Sequence, residues 1–271
     1  MHKAFLVACA LGILTTIFLW SNNIERTKPR VVFCDVGQGD GIYIRSSDEK
    51  DLVIDTGPNK LILKCLDNEM PYFDRSIEVL FLTHAQKDHA GGLIGVLHNF
   101  TVSAVYTPPD FKYGPDTQYR RIIQSENIPW EVVTQGDTLN FSSNKITVLW
   151  PPEINDQKTN SRDAVNNRAL GLQVQFVDKE VLLLSDIDST EGERALSYSP
   201  HHQSILKINH HGSQYGTSKR FLQLADPKIA VISAGKNNLY GHPHASVIEL
   251  LKAFNIPVQR TDKDGNVTIP L

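Results

Sequence analysis

Seventeen residues from Ala4 to Trp20, AFLVACALGILTTIFLW, carry no charge. They are apolar on every helical face, unlike the one-sided stripe of a helix that packs on a core. At about 1.5 Å per residue the run is roughly 25 Å long, the short end of a bilayer crossing. The polar stretch SNNIERTKPR follows it. The pattern therefore predicts a single-pass signal-anchor helix over 1–22, a linker over 23–30 and a separate domain over 31–271. Lys3 on one side and Arg26, Lys28 and Arg30 on the other leave the orientation open. Cleavage of the segment would give a secreted form, although no small-x-small site stands out before Asn22.

From residue 31 the apolar positions change rhythm. VVFCDV and GIYIRS are β-branched and aromatic runs separated by GQGD, and DLVIDTG is a third run ending in Asp55-Thr56-Gly57. IEVLFLTH is apolar enough for a fully buried strand, and AGGLIGVLHNF after it has helical spacing. Further strands are predicted at VSAVYT, KITVLW, LGLQVQFV, EVLLLSD, SILKINH, IAVISAG and NVTIPL, and helices at 189–198, 216–225 and 245–254. About a dozen strands with four or five helices predict an α+β domain of two sheets covered by helices. The polar stretch 151–168, PPEINDQKTNSRDAVNNR, reads as a long loop, serving a site or joining two halves.

Composition narrows the function classes a little. A net charge of -3 and a pI near 6.4 give no global basic field to recruit nucleic acid. Cys9, Cys34 and Cys65 are too few for a disulfide framework, so they are expected as buried or membrane-embedded thiols.

The polar residues that break the apolar runs are not scattered. Five clusters each follow a predicted strand: CDVGQGDG with Asp35 and Asp40; THAQKDHAGG with His84, Gln86, Asp88 and His89; LLLSDID with Asp186 and Asp188; LKINHHGS with His210, His211 and Ser213; and NNLYGHPH with His242 and His244. A strand end fixes a side chain while the loop beyond exposes it, which is where catalytic groups gather. Any one cluster has a plain structural reading, and Asp188 in SDIDSTEGE reads as the N-cap of the helix near Ser189. Five together point to a metal. Imidazole and carboxylate suit Zn²⁺ and related ions, and a catalytic site leaves one position open. The ion lowers the pKa of bound water towards about 7, which suits hydrolysis at neutral pH. Gly91 and Gly92 let the backbone approach closely as a helix starts.

The succession DVGQGD, LVIDTG, LTHAQKDHAGG, LLLSD, LKINHHGS and GHPH resembles the metallo-β-lactamase superfamily. It is most similar to the β-lactamase-like domain of ComEC-type competence proteins and their free-standing relatives, over residues 31 to about 270. The resemblance implies a four-layer αββα sandwich and a hydrolase with one or two metal ions, Zn²⁺ or else Mn²⁺. It implies His84, Asp88 and His89 as ligands, Asp186 as the aspartate bridging two metals, and His210 or His211 as the late histidine. Asp88 and Asp186 are the expected catalytic carboxylates. Asp55 corresponds to a strand-end aspartate of structural role, while Asp40, Ser213 and His242 are expected to line the site.

Two departures weaken one metal position. Gln86 stands where the superfamily has His or, in competence-type domains, Asp. Asn166 or Asn167 lies where lactamases place another histidine, though competence-type domains also carry Asn there. The expectation is a firm second site and a weakened first one, in a membrane-anchored, extracytoplasmic phosphodiesterase or nuclease. DNA or another phosphodiester is the expected substrate, and a separate channel protein the expected partner. Two other readings remain open here: a non-catalytic domain binding nucleic acid or a partner, and a hydrolase of phosphocholine or small esters.

Overall fold

The computed structural model describes residues 2–112, 117–153, 165–198 and 203–271. Helix α1 (His2–Arg26) leads into β1 (Arg30–Phe33), β2 (Gly41–Arg45) and β3 (Asp51–Thr56), then α2 (Leu61–Glu69), β4 (Ser76–Ile77), β5 (Val79–Phe81), α3 (Lys87–Ala90), α4 (Leu93–Asn99), β6 (Thr101–Val102), β7 (Val105–Thr107), α5 (Thr117–Ser125) and β8 (Trp130–Val132). The second half contributes β9 (Thr138–Phe141), β10 (Asn144–Trp150), β11 (Gly171–Gln175), β12 (Glu180–Leu183), α6 (Ser189–Leu196), β13 (Ile205–Lys207), α7 (Lys219–Ala225), β14 (Ile229–Ile232), α8 (Ala245–Ala253), β15 (Val258–Arg260), α9 (Thr261–Asp264) and β16 (Val267–Pro270).

Two seven-stranded sheets result, ordered β16-β1-β2-β3-β5-β7-β8 and β15-β14-β13-β12-β11-β10-β9. Each is antiparallel on one side and parallel on the other, with the change at β3 in the first sheet and β12 in the second. Alternation along the strands sorts side chains into layers. Phe33, Ile42, Ile44, Ile54 and Phe81 meet Val148, Leu172, Leu183 and Ile205 between the sheets. Val32, Tyr43, Val53 and Leu80 face Ile62, Leu66 and Val96 of the helices on the first sheet. Leu182, Leu206 and Ile232 face Leu196, Phe221 and Leu251 on the second. Three apolar layers between four layers of structure make the expected αββα sandwich.

The N-terminal helix is present and longer than the apolar run, since it continues through the expected linker to Arg26. Its last turns are fastened to the domain. Asn22 Nδ2 donates to the Tyr72 hydroxyl at 3.0 Å, Arg26 donates to the carbonyls of Asp67 and Met70, and its guanidinium lies 4.2 Å from the Tyr72 ring centroid. Further out, Leu11, Leu14, Ile17, Phe18 and Trp20 stand exposed. Among the described residues no helix is long and apolar enough to cross a membrane, so the structure does not supply the span read from the sequence.

The cysteines need a correction. Cys34 and Cys65 form a disulfide between the end of β1 and α2, with Cα atoms 5.7 Å apart, and Cys9 is a free, exposed thiol. Two cysteines 31 residues apart give no spacing signal; packing of α2 on the first sheet brings them together. Of the long loop, 154–164 lie outside the described residues, and its end forms a short 3-10 turn at Asn166–Arg168.

Candidate metal centre

All five clusters open at the same end of the sandwich. The loop after β5 carries His84 and runs into α3, which holds Asp88 and His89. This segment sits close under its neighbours: a Cβ on Gly39 would overlap the Asp88 carbonyl, and one on Gly92 would overlap the Thr56 carbonyl. The Asp40 amide donates to the Asp88 carbonyl at 3.2 Å, fastening the GQGD turn to α3. From the second sheet, the chain after β12 delivers Ser185 and Asp186, and the chain after β13 delivers His210 and His211. Asp55, Ser185, His210 and His211 all take positive φ, between 47° and 59°. Non-glycine residues rarely hold that conformation unless their surroundings impose it, and it gathers at functional sites.

One oxygen or nitrogen from each of Asp88, His89, Asp186 and His211 falls within 4.8 Å of all the others. His89 Nε2 and His211 Nε2 each lie 3.3 Å from Asp186 Oδ2, and His211 Nε2 lies 3.6 Å from Asp88 Oδ2. His89, Asp186 and His211 are almost wholly buried, whereas the Asp88 side chain is 31% exposed. Solvent therefore reaches the group from the side of Asp88.

The opposite nitrogens of the imidazoles are held from behind. His89 Nδ1 is 2.7 Å from Asp55 Oδ2, and Asp55 accepts from the Thr83 amide and hydroxyl at 2.8 and 2.7 Å. His211 Nδ1 donates to the Ser233 carbonyl at 3.1 Å, with Asp40 Oδ1 at 3.4 Å. Such outer contacts fix tautomer and ring direction at metal centres. They turn Nε2 of both rings inward, where neither has a hydrogen-bond partner; His84 Nε2 and Asp186 Oδ1 are orphaned in the same way. Buried polar atoms left unpaired are costly, and convergent lone pairs suit a cation.

Charge points the same way. Burial opposes ionisation of Asp186, but His211 and His89 outweigh it and hold the carboxyl well below its usual range. Burial likewise opposes charge on His89 and His211, yet the surrounding carboxylates raise both well above the ordinary imidazole value. Those carboxylates are Asp186 and Asp55 for His89, and Asp186 and Asp40 for His211. The pocket carries an excess of negative charge that either two protons or a divalent ion can balance. The residues present fit such an ion.

A second set, Asp40, Asp55 and His89, is also close-knit. It does not have the character of a metal site, because Lys207 Nζ lies 2.5 Å from Asp40 Oδ2 and His89 Nδ1 already bonds Asp55.

The remaining expected residues separate clearly. His84 packs its ring 4.1 Å from that of His89, but stands outside the four-residue set. Burial and the neighbouring His89 charge lower its pKa to about 3, so it is a neutral imidazole. Gln86 Nε2 donates to Asn166 Oδ1 at 2.6 Å. Asn167 turns instead to Asp188, bonding its carboxylate at 2.7 Å and its amide at 2.9 Å. Asp188 caps α6 as expected, accepting from the amides of Thr190 and Glu191. Of the two adjacent histidines, His211 joins the set; His210, a quarter exposed, keeps Nε2 3.8 Å from Asp186. His242 lies beyond His210, its ring 5.7 Å away and stacked on exposed Tyr240, while the Ser213 hydroxyl faces its own turn, 3.4 Å from the Tyr215 amide. Thr83, Ser185, Lys207 and Ser233 were not singled out from the sequence. Lys207 had a signal: a lone cation in the apolar strand SILKINH.

A family model, that of the metallo-beta-lactamase superfamily, matches residues 34–236. ComE operon protein 3 of Bacillus subtilis is 31% identical, over 89% of this chain and 33% of its own length. Competence protein ComA of Neisseria gonorrhoeae is 25% identical, over 89% of this chain and 32% of its own. The chain thus spans about a third of the length of these relatives. Among solved structures, Zn²⁺-bound PqqB from Methylobacterium extorquens matches with a TM-score of 0.59 at 12% identity, covering 89% of this chain and 100% of that one, a likeness of fold alone.

Proposed function

Since the chain belongs to the metallo-beta-lactamase superfamily, we propose that it is a metal-dependent phosphodiester hydrolase with one well-built ion site. The observation that carries this is the convergence of Asp88, His89, Asp186 and His211, whose inward nitrogens are orphaned. These four residues would hold the ion, Zn²⁺ in the first place or Mn²⁺. A bound divalent ion supplies a nucleophile at neutral pH and polarises the phosphoryl oxygen.

The chain's own residues do the rest. Asp55 and the Ser233 carbonyl hold Nδ1 of the two imidazoles, so that Nε2 of each would face a bound ion. Asp88, about a third exposed, marks the open side. On that side His210 and His242 present imidazoles 5.7 Å apart to a substrate, and Tyr240 offers an exposed ring against His242. Burial and the adjacent histidines lower His242 to about 4, so at neutral pH it meets the substrate uncharged, as a hydrogen-bonding group.

The choice of a phosphodiester, and of DNA as its natural form, rests on similarity to a protein whose name places it in competence. The Cys34–Cys65 disulfide supports an oxidising, extracytoplasmic setting, and the exposed apolar side chains of α1 support a tether to lipid. The test is hydrolysis of DNA and of a chromogenic phosphodiester with Zn²⁺ or Mn²⁺, comparing the wild type with Asp88→Ala. Activity lost on substitution agrees with the reading. A folded, metal-loaded wild type inert on every phosphodiester would turn it towards the binding-domain or small-ester alternatives.

A further inference from the structure

Lys207 is fully buried at the C-terminal end of β13. Alternation explains where it points. Ile205 belongs to the layer between the sheets and Leu206 to the layer beneath the helices. Lys207 therefore shares the inner face with Ile205. A lysine in that layer loses its hydration, a cost that only a well-placed anion offsets. The anion is Asp40, which is 1% exposed and directly precedes β2, on the opposite sheet. Lys207 Nζ lies 2.5 Å from Asp40 Oδ2. The ammonium also points towards the carbonyls of Ser185 and Ile208, at 3.5 and 3.4 Å. Asp40 Oδ1 faces His211 Nδ1 at 3.4 Å, and Asp40 Oδ2 lies 3.8 Å from His89 Nδ1.

The pair thus crosses the sandwich behind the metal centre. The first sheet supplies Asp88 and His89, the second Asp186 and His211, and a shared site needs the two halves placed to within about 0.5 Å. We infer that Lys207 is a positioning residue, which through Asp40 and the Ser185 carbonyl holds the two sheets in the relative placement that lets the four ligands converge. The hydrophobic layer between the sheets is non-directional and does not fix this placement. A charge-assisted contact with a defined length does. The inference rests on the metal reading proposed above, and the ammonium itself never meets the substrate.

The test uses the whole chain and measures metal affinity rather than turnover. Three proteins are compared: wild type, Lys207→Met, and Lys207→Met with Asp40→Asn. The single variant strands a buried carboxylate and is expected to be less stable; the double variant removes both charges and tests the idea if the single one fails to fold. Zn²⁺ affinity is read by competition with a chromogenic chelator, and thermal unfolding is followed on the metal-free proteins. The expected result is a double variant that unfolds within a few degrees of the wild type yet binds Zn²⁺ at least tenfold more weakly, the range seen when outer-shell contacts are removed. A folded double variant that binds Zn²⁺ as tightly as the wild type would overturn the inference, because the pair would then be a structural neutralisation only. A wild type that binds no Zn²⁺ overturns the metal reading first, and this inference with it.

Discussion

Gln86 Nε2 donates to Asn166 Oδ1 at 2.6 Å, so Gln86 and one of the two candidate asparagines satisfy one another. His84 lies beside them with Nε2 unpaired. An amide pair in this place contributes no charge and spends part of its hydrogen-bonding capacity internally, whereas a histidine or aspartate would offer a free lone pair. The proposed ion position is unaffected by this pair, since Asp88, His89, Asp186 and His211 converge without it. Gln86→His combined with Asn166→His is expected to raise the bound Zn²⁺ by one equivalent. Elemental analysis after gel filtration checks this, and an unchanged count would show that the amides are not what limits the site.

His210 and His211 are adjacent but unequal. His211 is buried in the ligand set, while His210 is a quarter exposed and further from Asp186. His211→Ala should weaken metal binding by a hundredfold or more, as expected for removal of a ligand, and His210→Ala by less than tenfold. Chelator competition separates them; equal losses would contradict the assignment.

In the proposed site Asp55 would act on the ion through His89, whose Nδ1 it holds at 2.7 Å. Asp55→Asn keeps the shape but changes the charge behind Nδ1, and Thr83→Val removes a donor to the same carboxylate. Each should lower metal affinity about tenfold to a hundredfold, the usual range for outer-shell partners. Activity at saturating metal should fall much less. Titration of activity against metal concentration distinguishes the two.

Metal binding and acidity are linked with a definite sign. His89 and His211 are raised well above the ordinary imidazole value in the metal-free protein, so they stay protonated past the pH, about 6.5, at which an unfolded histidine titrates. An ion needs both neutral and must displace those protons. Apparent affinity should therefore rise with pH above about 6.5. For the metal-free chain the stabilisation from these two groups is full below that pH and is lost as pH rises through their raised values. Its melting temperature should decline towards alkaline pH more steeply than that of the metal-loaded protein. Parallel thermal scans at several pH values check both.

The Cys34–Cys65 bridge closes a loop between residues 31 positions apart. Chain-entropy arguments put its contribution at about 3–4 kcal/mol. Because Cys34 precedes the GQGD turn that is fastened to Asp88, reduction should lower the melting temperature. Calorimetry with and without a reductant measures the shift.

Much of this was legible in the sequence, and the failures have physical causes. The strands that end in the polar clusters are long apolar runs, so their periodicity named them and the clusters they carry. The terminal strands β8, β9 and β15 are three or four residues long and half-exposed, leaving no period to read. Helix α5, TQYRRIIQS, is mostly polar, and α2 shows only Ile62, Cys65 and Leu66 on its buried side. The candidate ligands are local to their motifs, but which of His210 and His211 joins the close-knit set depends on two left-handed backbone conformations that no residue type announces. The disulfide, the Gln86–Asn166 bond and the Lys207–Asp40 pair join segments 31, 80 and 167 residues apart, and only tertiary packing, of α2 on the first sheet for the disulfide and of the two halves for the others, brings them together.

The central claim is a single well-built ion site, and the number of ions bound tests it most directly. The purified wild type, loaded with Zn²⁺, passed through gel filtration and analysed for metal and protein, should retain one equivalent per chain. Retention of two equivalents, or of none, would contradict the account.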